Sequence, residues 1–478
     1  MNDPVDLIAP QHVDQLRRAC AAVITPRDAE YDDARRLWNA VHDRRPAVIA
    51  RPSRPDEVAA AVRFAREHDL EITVRCGGHS AAAFGGVNGG LLVDLSGMRG
   101  VQVDPRTRTA RANGGALLGE LDVAAQARGL VCPTGVVGHT GVGGLTLGGG
   151  VGRLQRHFGL TIDNLAAVEL VTADGRLVRA TATDEPELFW GLRGAGWNFG
   201  IATAFEYRLH PFGPDLHRGV LTYPAREVDE LWGIFREYVR SAPDAVSCIF
   251  GLDRAGPDAG YAEDMVGRPI VYVAWNHSGA AEDVERDTAG LRRGPAPLTT
   301  TIGSSPYLDV QSAHDLAFAW GSRSFIKSHN ADDLRPEALD ALVALIAEAP
   351  GEATFSATAL GGAIGRVAED ATAYAGRGAA FDLSADSSWS DAADDAANME
   401  WCRRAMAIVE PDRTLGAYAN GNADAGPDES RRIYGDAKLA RLAALKRVWD
   451  PENVFHVNPN VAPAPAATDA PHPERPRR

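Results

Sequence analysis

The chain has 478 residues, 45% of them hydrophobic and 24% charged, enough apolar material for two or three domains with sizeable cores. Its 49 Lys and Arg stand against 64 Asp and Glu, and the resulting charge of −15 argues against a nucleic-acid binder and against attraction to anionic lipid. Lysine occurs only at Lys327, Lys438 and Lys446, which leaves few candidates for Schiff-base chemistry. No apolar run approaches the roughly 20 residues that span a bilayer. Met1 to Asp6 has neither a basic nor an apolar leader pattern, so no signal peptide is expected. Five widely spaced cysteines, Cys20, Cys76, Cys132, Cys248 and Cys402, fit reduced thiols in a cytoplasmic protein.

Residues 1–44 are expected to be a helical lead-in. Ala47 to Ala50 is a short strand, and Pro55-Asp56-Glu57 opens a helix whose acids suit its positive end. Strands follow at 71–75, running into Gly77-Gly78, and at 91–95. Residues 101–103 and 107–112 flank a turn at Asp104-Pro105-Arg106. A helix is expected over 116–127, a hairpin at 165–171 and 177–180 around Asp174-Gly175, a helix over 187–193 and a strand over 201–209. Between 135 and 152 glycine crowds the chain. Backbone entropy makes that costly, and close approach of backbone to a ligand is a sufficient reason for it.

Residues 213–410 repeat a looser pattern, with a strand at 268–275 and helices near 226–240, 335–348 and 391–408. This suggests a mixed sheet with helices on one side. Ile433, Leu439, Leu442, Leu445 and Val448 give residues 429–449 one apolar helical face, and 461–478 is Pro/Ala-rich and expected to be disordered.

Several motifs fail on spacing. Gly148 to Arg153 lacks the last glycine of a dinucleotide fingerprint, and Gly194 to Gly200 has it one residue late. No Walker sequence is present, and Gly78 to Ala82 misses the nucleophile elbow at its last position. Cys76 and His79 have the spacing of half a zinc site with no second pair, and His139 and His157 are isolated, so no metal is expected.

One ordered set of segments remains. Val74-Arg75-Cys76-Gly77-Gly78-His79-Ser80 precedes Pro133-Thr134-Gly135 and Gly143-Gly144-Leu145-Thr146-Leu147-Gly148-Gly149-Gly150. Phe158-Gly159-Leu160-Thr161-Ile162-Asp163-Asn164 comes next, then Glu187-Leu188-Phe189-Trp190 through Gly196-Trp197-Asn198-Phe199-Gly200. Tyr418-Ala419-Asn420, Trp449-Asp450-Pro451-Glu452-Asn453 and Asn458-Pro459-Asn460 close the series. From 45 to 460 the chain resembles the FAD-linked oxidases of the vanillyl-alcohol oxidase / p-cresol methylhydroxylase superfamily, in the berberine-bridge-enzyme-like branch.

The resemblance implies an α+β fold. An FAD-binding domain of two subdomains (PCMH type) would span 45–212, and a substrate domain with a mixed or antiparallel sheet covered by helices would span 213–410. A segment over 411–460 would return to the FAD domain. The implied cofactor set is Arg75, Cys76, Gly77, Gly78, His79 and Ser80 on one loop, and Val137, Gly138, Thr140, Gly141, Gly143, Gly144, Gly148 and Gly149 on a second. Gly200, Ile201, Tyr418, Asn420 and Asn458 complete it. Glycine-turn amides suit a pyrophosphate because no side chain obstructs them.

The resemblance also implies a covalent bond from His79 to the flavin 8α-carbon. Some relatives add a cysteine bond to the flavin 6-position, but the glycine register puts Val137 there and leaves Cys132 upstream, so one bond is expected. The tyrosine that follows the Tyr-x-Asn motif in plant relatives is Gly421 here. Tyr418 and Asn420 remain as catalytic candidates, and the base is open between Tyr307, Tyr374, Asp382 and a residue the sequence does not single out. Trp275 and Trp389 fit core packing better than a substrate wall.

The expected reaction is hydride transfer from a C–H next to an alcohol, amine or activated ring carbon, with dioxygen as the second substrate, hydrogen peroxide as product and a role in secondary metabolism. The small Thr140 favours an oxidase. A flavin-dependent cyclase, isomerase or dehydrogenase, or a flavin-binding protein without turnover, are the alternatives.

Overall fold

The computed structural model describes residues 8–257, 260–424 and 426–465. Three larger sheets and a two-stranded pair, Leu130–Val131 with His210–Pro211, organise them. The first has four strands in the order Ala22–Ile24, Val48–Arg51, Leu91–Asp94, Ile72–Arg75, the last three parallel. Helix Pro55–Glu67 covers it with Val58, Val62, Phe64 and Ala65. The second is a five-stranded antiparallel sheet, Val101–Asp104, Thr109–Asn113, Ile201–Arg208, Leu165–Val171, Leu177–Thr181.

The third sheet has seven strands, all antiparallel, in the order Thr299–Pro306, Asp215–Pro224, Pro269–His277, Val246–Arg254, Glu352–Ala359, Phe381–Trp389, Arg323–Ala331. Period-two alternation gives it two unlike faces. Phe250, Phe355, Phe381 and Leu383 pack under helices Val228–Val239, Pro336–Ala347 and Asp395–Val409, with Trp232, Phe235 and Trp401 filling the layer. Trp275 lies in this core, and Trp389 at its edge donates from Nε1 to Asp395. Asp382, Ser384 and Asp386 alternate with those core residues and share the opposite face with Ser328, Asn330, Ser356 and Thr358. That face is polar and carries no helices of the layer.

Four expectations are corrected. The lead-in is not wholly helical: after helix Pro10–Ala19, Ala22–Ile24 pairs with Val48–Arg51 as an edge strand. The third sheet is purely antiparallel rather than mixed. The long C-terminal helix, Pro427–Trp449, is interrupted at Gly435, which adopts φ +69°, and its apolar stripe ends at the buried Leu442 and Leu445, leaving Val448 72% exposed. Residues 461–465 are ordered: Val461 is buried, its N–H donates to Asn198 Oδ1, and Ala464 N–H donates to the Ala443 carbonyl. Residues 466–478 and Met1 to Asp6 lie outside the described residues.

The C-terminal segment packs back on the second sheet. Ala417, Ala419, Ile433, Tyr434, Leu442 and Leu445 share one core with Phe189, Phe199, Phe205 and Tyr207. A buried ion pair pins it there. Lys446 Nζ lies 2.7 Å from Asp450 Oδ2, both fully buried. The ammonium also donates to the carbonyls of Asn198 (2.7 Å) and Phe455 (2.8 Å), and Asp450 accepts from the N–H groups of Val454 and Phe455. Burial lowers the Lys446 pKa and Asp450 opposes the change. Removing one partner strands a charge, which costs about 3–5 kcal/mol. Lys446→Met is therefore expected to lower the thermal midpoint by several degrees, measured by circular dichroism, whereas Lys438→Met at the half-buried Glu369 pair has a smaller effect.

Candidate cofactor cleft

Strand Ile72–Arg75 delivers the chain into the first glycine loop. The Arg75 guanidinium does not face a ligand. It turns back to Asp94 Oδ2 (2.8 Å) and the Arg36 carbonyl (2.7 Å), so its task is to anchor the loop. Cys76 donates from Sγ to the Ala116 carbonyl, and burial pushes its thiol up to about 11. Gly77 sits backbone to backbone with Gly141 of the second loop; a Cβ on either would overlap the other's main chain. Gly78 follows at φ +71°, and Ser80 Oγ accepts from the Phe84 N–H.

The second loop runs through Val137, whose carbonyl accepts from Thr140 N–H, and is tied to helix Leu118–Gln126 by Leu118 N–H to the Thr140 carbonyl. Gly138 N–H donates to Asp315 Oδ1 at 2.7 Å, so this amide already serves an anionic acceptor. Helix Val142–Leu147 then leads from Gly141 to Gly148. Six helical residues span about 9 Å, close to the length of a tricyclic ring system. Gly143 faces Phe205 inside, whereas Gly144 is exposed and a Cβ there would meet no protein atom within 4 Å.

His79 stands at the first end of this helix. Its Nε2 is 2.6 Å from His139 Nδ1, and the indole of Trp38 stacks on its ring at 4.8 Å and 16°. Trp320 closes the edge at 6.4 Å. Burial, and secondarily His139, lower the His79 pKa to about 3, so the imidazole is neutral at any ordinary pH. Trp38 is held by Nε1–H to the Phe318 carbonyl (2.6 Å) and by its N–H to the Gly78 carbonyl. Sequence reasoning missed Trp38, which lies in the segment read as lead-in, and gave His139 no role.

Tyr418 and Asn420 stand at the other end. Asn420 Nδ2 donates to the Leu145 carbonyl and to Tyr418 Oη, which also accepts from Val151 N–H. A Cβ on Gly148 would meet Trp197 and Asn420 at 2.5 and 2.6 Å, and one on Gly149 would meet Tyr374 at 2.8 Å. Asp382 contributes to the electrostatic surroundings of both Tyr374 and Tyr418, so the polar face of the third sheet meets the cleft here. Ser328, on that face, is 3.0 Å from a Cβ position on Gly421.

Other candidates lie apart. Ile201 is 1% exposed and turns its side chain into the core of the first sheet, and Gly200 is pressed against the Val171 carbonyl. Tyr307 belongs to a separate buried cluster in which Asp122 receives hydrogen bonds from Thr134, Gln311 and Tyr307, so it is not placed to act as a base in the cleft. Cys132 is fully buried in the core of the second sheet, its pKa driven far up by desolvation. Among the described residues no group of three metal-ligating side chains occurs, and no helix is long and apolar enough to cross a membrane.

An FAD binding domain model matches residues 46–181, and a model described as berberine and berberine like matches 417–462. Over 453 residues the chain is 31% identical to (R)-6-hydroxynicotine oxidase of Paenarthrobacter nicotinovorans, covering 92% of this chain and 96% of that one. The chain belongs to the berberine-bridge-like FAD-linked oxidoreductases. The crystal structure of 6-hydroxy-D-nicotine oxidase from Arthrobacter nicotinovorans superposes with a TM-score of 0.82 at 28% identity, over 93% of this chain and 98% of that one. A xylooligosaccharide oxidase of Thermothelomyces thermophilus is 36% identical over 200 residues, 41% of this chain and 40% of that one.

The residues present fit FAD. Asn458 Oδ1 and Asn460 Oδ1 are buried with no hydrogen-bond partner, which suits a ligand carrying donors such as ribose hydroxyls or a flavin N–H. Asn458 and Asn460 line a cavity of about 590 Å³ with Phe84 and Ser430. The open side of Gly144 supplies room against the helix.

These contacts separate two glycine variants. Gly144→Val is expected to fold with a nearly unchanged melting temperature yet purify with little flavin, because its side chain projects into the space left for the cofactor. Gly149 has φ +131° and touches Tyr374, so Gly149→Val should destabilise the fold itself. The ratio of flavin to protein absorbance, measured with the melting temperature, checks both.

Proposed function

We propose that the chain is an oxidase of a small molecule bearing an amine, an alcohol or an activated ring C–H, with FAD tethered through His79 and Asp382 as the base that takes the substrate's N–H or O–H proton. When bound, FAD supplies a two-electron acceptor at N5 and passes those electrons to dioxygen as hydrogen peroxide. The loops around Gly77, Gly78 and Gly138 to Gly144 would hold the pyrophosphate and ring, with Tyr418, Asn420 and Asn458 at the far end. The names of the relatives, a hydroxynicotine oxidase and a xylooligosaccharide oxidase, support an amine or alcohol as the oxidised group.

The observation that carries this reading is the state of Asp382. It is 8% exposed, lies close enough to Tyr374 and Tyr418 to act on both electrostatically, and has the Ser328 hydroxyl as a hydrogen-bonding neighbour on the polar face of the sheet. Burial first, and then Asp386, push its pKa up to about 7, while the Ser328 hydroxyl beside it works the other way. A base poised there is half ionised near neutrality and accepts a proton without a large penalty. The tyrosines are less suited. Burial raises Tyr374 well above its ordinary value, and Tyr418 is raised as well and already engaged with Asn420 and Val151.

The ionised form of Asp382 is the active one, so the rate of flavin reduction should rise with pH through about 7. Its effect on stability has the opposite slope. The folded state keeps a proton that the unfolded chain releases near 3.8, so its contribution falls as pH rises from there to about 7. Asp382→Asn should retain flavin, lose the rise through pH 7 and reduce flavin about 10²–10⁴-fold more slowly. Peroxide release over a panel of amines, alcohols and oligosaccharides locates the substrate. A variant as fast as the wild type would remove Asp382 from the reaction. Acid-precipitated wild-type protein that stays yellow, with the colour lost in His79→Ala, checks the tether.

A further inference from the structure

We infer that His139 is the proton acceptor that lets His79 bond to the flavin, and that the bonding atom of His79 is Nδ1. The inference rests on the tether at His79 proposed above. It follows from the hydrogen-bond chain of the two imidazoles. His139 Nε2 lies 3.2 Å from the carbonyl oxygen of Asp315. A carbonyl only accepts, so His139 Nε2 carries the hydrogen, and a neutral ring then has its lone pair at Nδ1. That lone pair faces His79 Nε2 at 2.6 Å, so His79 must be the donor in this contact. Its own lone pair is left at Nδ1. Trp38, stacked on one face, fixes the plane of the ring and therefore the direction of that lone pair.

The chemistry then balances. The 8α-methyl group would give a proton to water, leaving its electron pair delocalised in the ring system and the 8α-carbon electrophilic. The Nδ1 lone pair forms the C–N bond, which would leave a cationic imidazolium beside buried aromatic rings. The Nε2–H bond breaks as its proton passes to His139 Nδ1, the His79 imidazole ends neutral, and His139, which is only partly buried, releases the proton to water so that no cation is left in the site. The flavin is reduced by two electrons in the process. Dioxygen removes them with two protons as hydrogen peroxide, so the net change is FAD, the histidine N–H and dioxygen giving histidyl-FAD and hydrogen peroxide. Without an acceptor the positive charge would stay in a desolvated site, where it is strongly disfavoured.

Two variants test this, with acid-stable flavin as the readout and no need for substrate turnover. His139→Gln keeps an oxygen that accepts a hydrogen bond from His79 but takes up no proton. His139→Ala leaves space that added imidazole can fill. Both should bind FAD, seen by visible absorbance, and both should form acid-stable flavin at least about ten-fold more slowly than the wild type. Imidazole should restore the rate in His139→Ala and not in His139→Gln. Attachment at the wild-type rate in His139→Ala would overturn the inference. Wild-type attachment in His139→Gln would reduce His139 to a positioning residue and overturn the proton transfer.

A wild-type protein whose flavin is wholly acid-soluble would overturn the tether itself, a result distinct from either of these. The linkage atom is read from the flavin peptide by NMR. Proximity of the 8α-methylene protons to the His79 β-protons is expected, and proximity to its Hδ2 would overturn the assignment to Nδ1.

Discussion

Backbone contact between Gly77 and Gly141 holds the two glycine loops at a separation that no side chain permits. The first loop is anchored from behind by the buried Arg75–Asp94 pair, and the second by the hydrogen bond from Leu118 to Thr140. With both loops fixed, His79 lies within one hydrogen bond of His139 and under Trp38. Helix Val142–Leu147 then sets the distance from that pair to Asn420 and Tyr418. The geometry of the cleft is thus a consequence of main-chain packing, with the polar side chains arranged around it.

The third sheet contributes through alternation. One face is closed by three helices and an aromatic-rich core, and this leaves the other free to carry Asp382, Asp386, Ser328 and Ser384. Carboxylates in such a place are expensive to ionise, and burial is the main cause of the raised values at both aspartates. A rigid strand also fixes their positions better than a loop would.

Local rules made much of this legible. Helix Pro55–Glu67, the hairpin Leu165–Thr181 and strand Ile201–Arg208 follow from capping, turn chemistry and apolar patterning, and the ordered glycine motifs named the family. What escaped the sequence depends on distant partners. Arg75 looks like a ligand-binding cation until Asp94, nineteen positions away, takes its charge. Trp38 meets His79 because its N–H bonds to the Gly78 carbonyl and because residues 38–40 run beside residues 318–324, through hydrogen bonds such as Ala40 to Ser322 and Asn39 to Ser324. Val448 continues the apolar stripe on paper, but the core that receives Leu442 and Leu445 ends before it and leaves it in water. Tyr307 and Asp382 were equal candidates for the base, and only the topology of the sheet separates them.

The three lysines all serve as structural ties. Lys446 is sealed in the core with Asp450, Lys438 donates to the Tyr374 carbonyl beside Glu369, and Lys327 is held between Asp424 and Glu429. None leaves more than 15% of its side chain open to water. The surface of the folded protein therefore presents its positive charge almost wholly as guanidinium. Acylating reagents and amine-directed crosslinkers find few lysine ammonium groups to attack until the fold opens, so coupling this protein to a support would have to go through carboxylates instead.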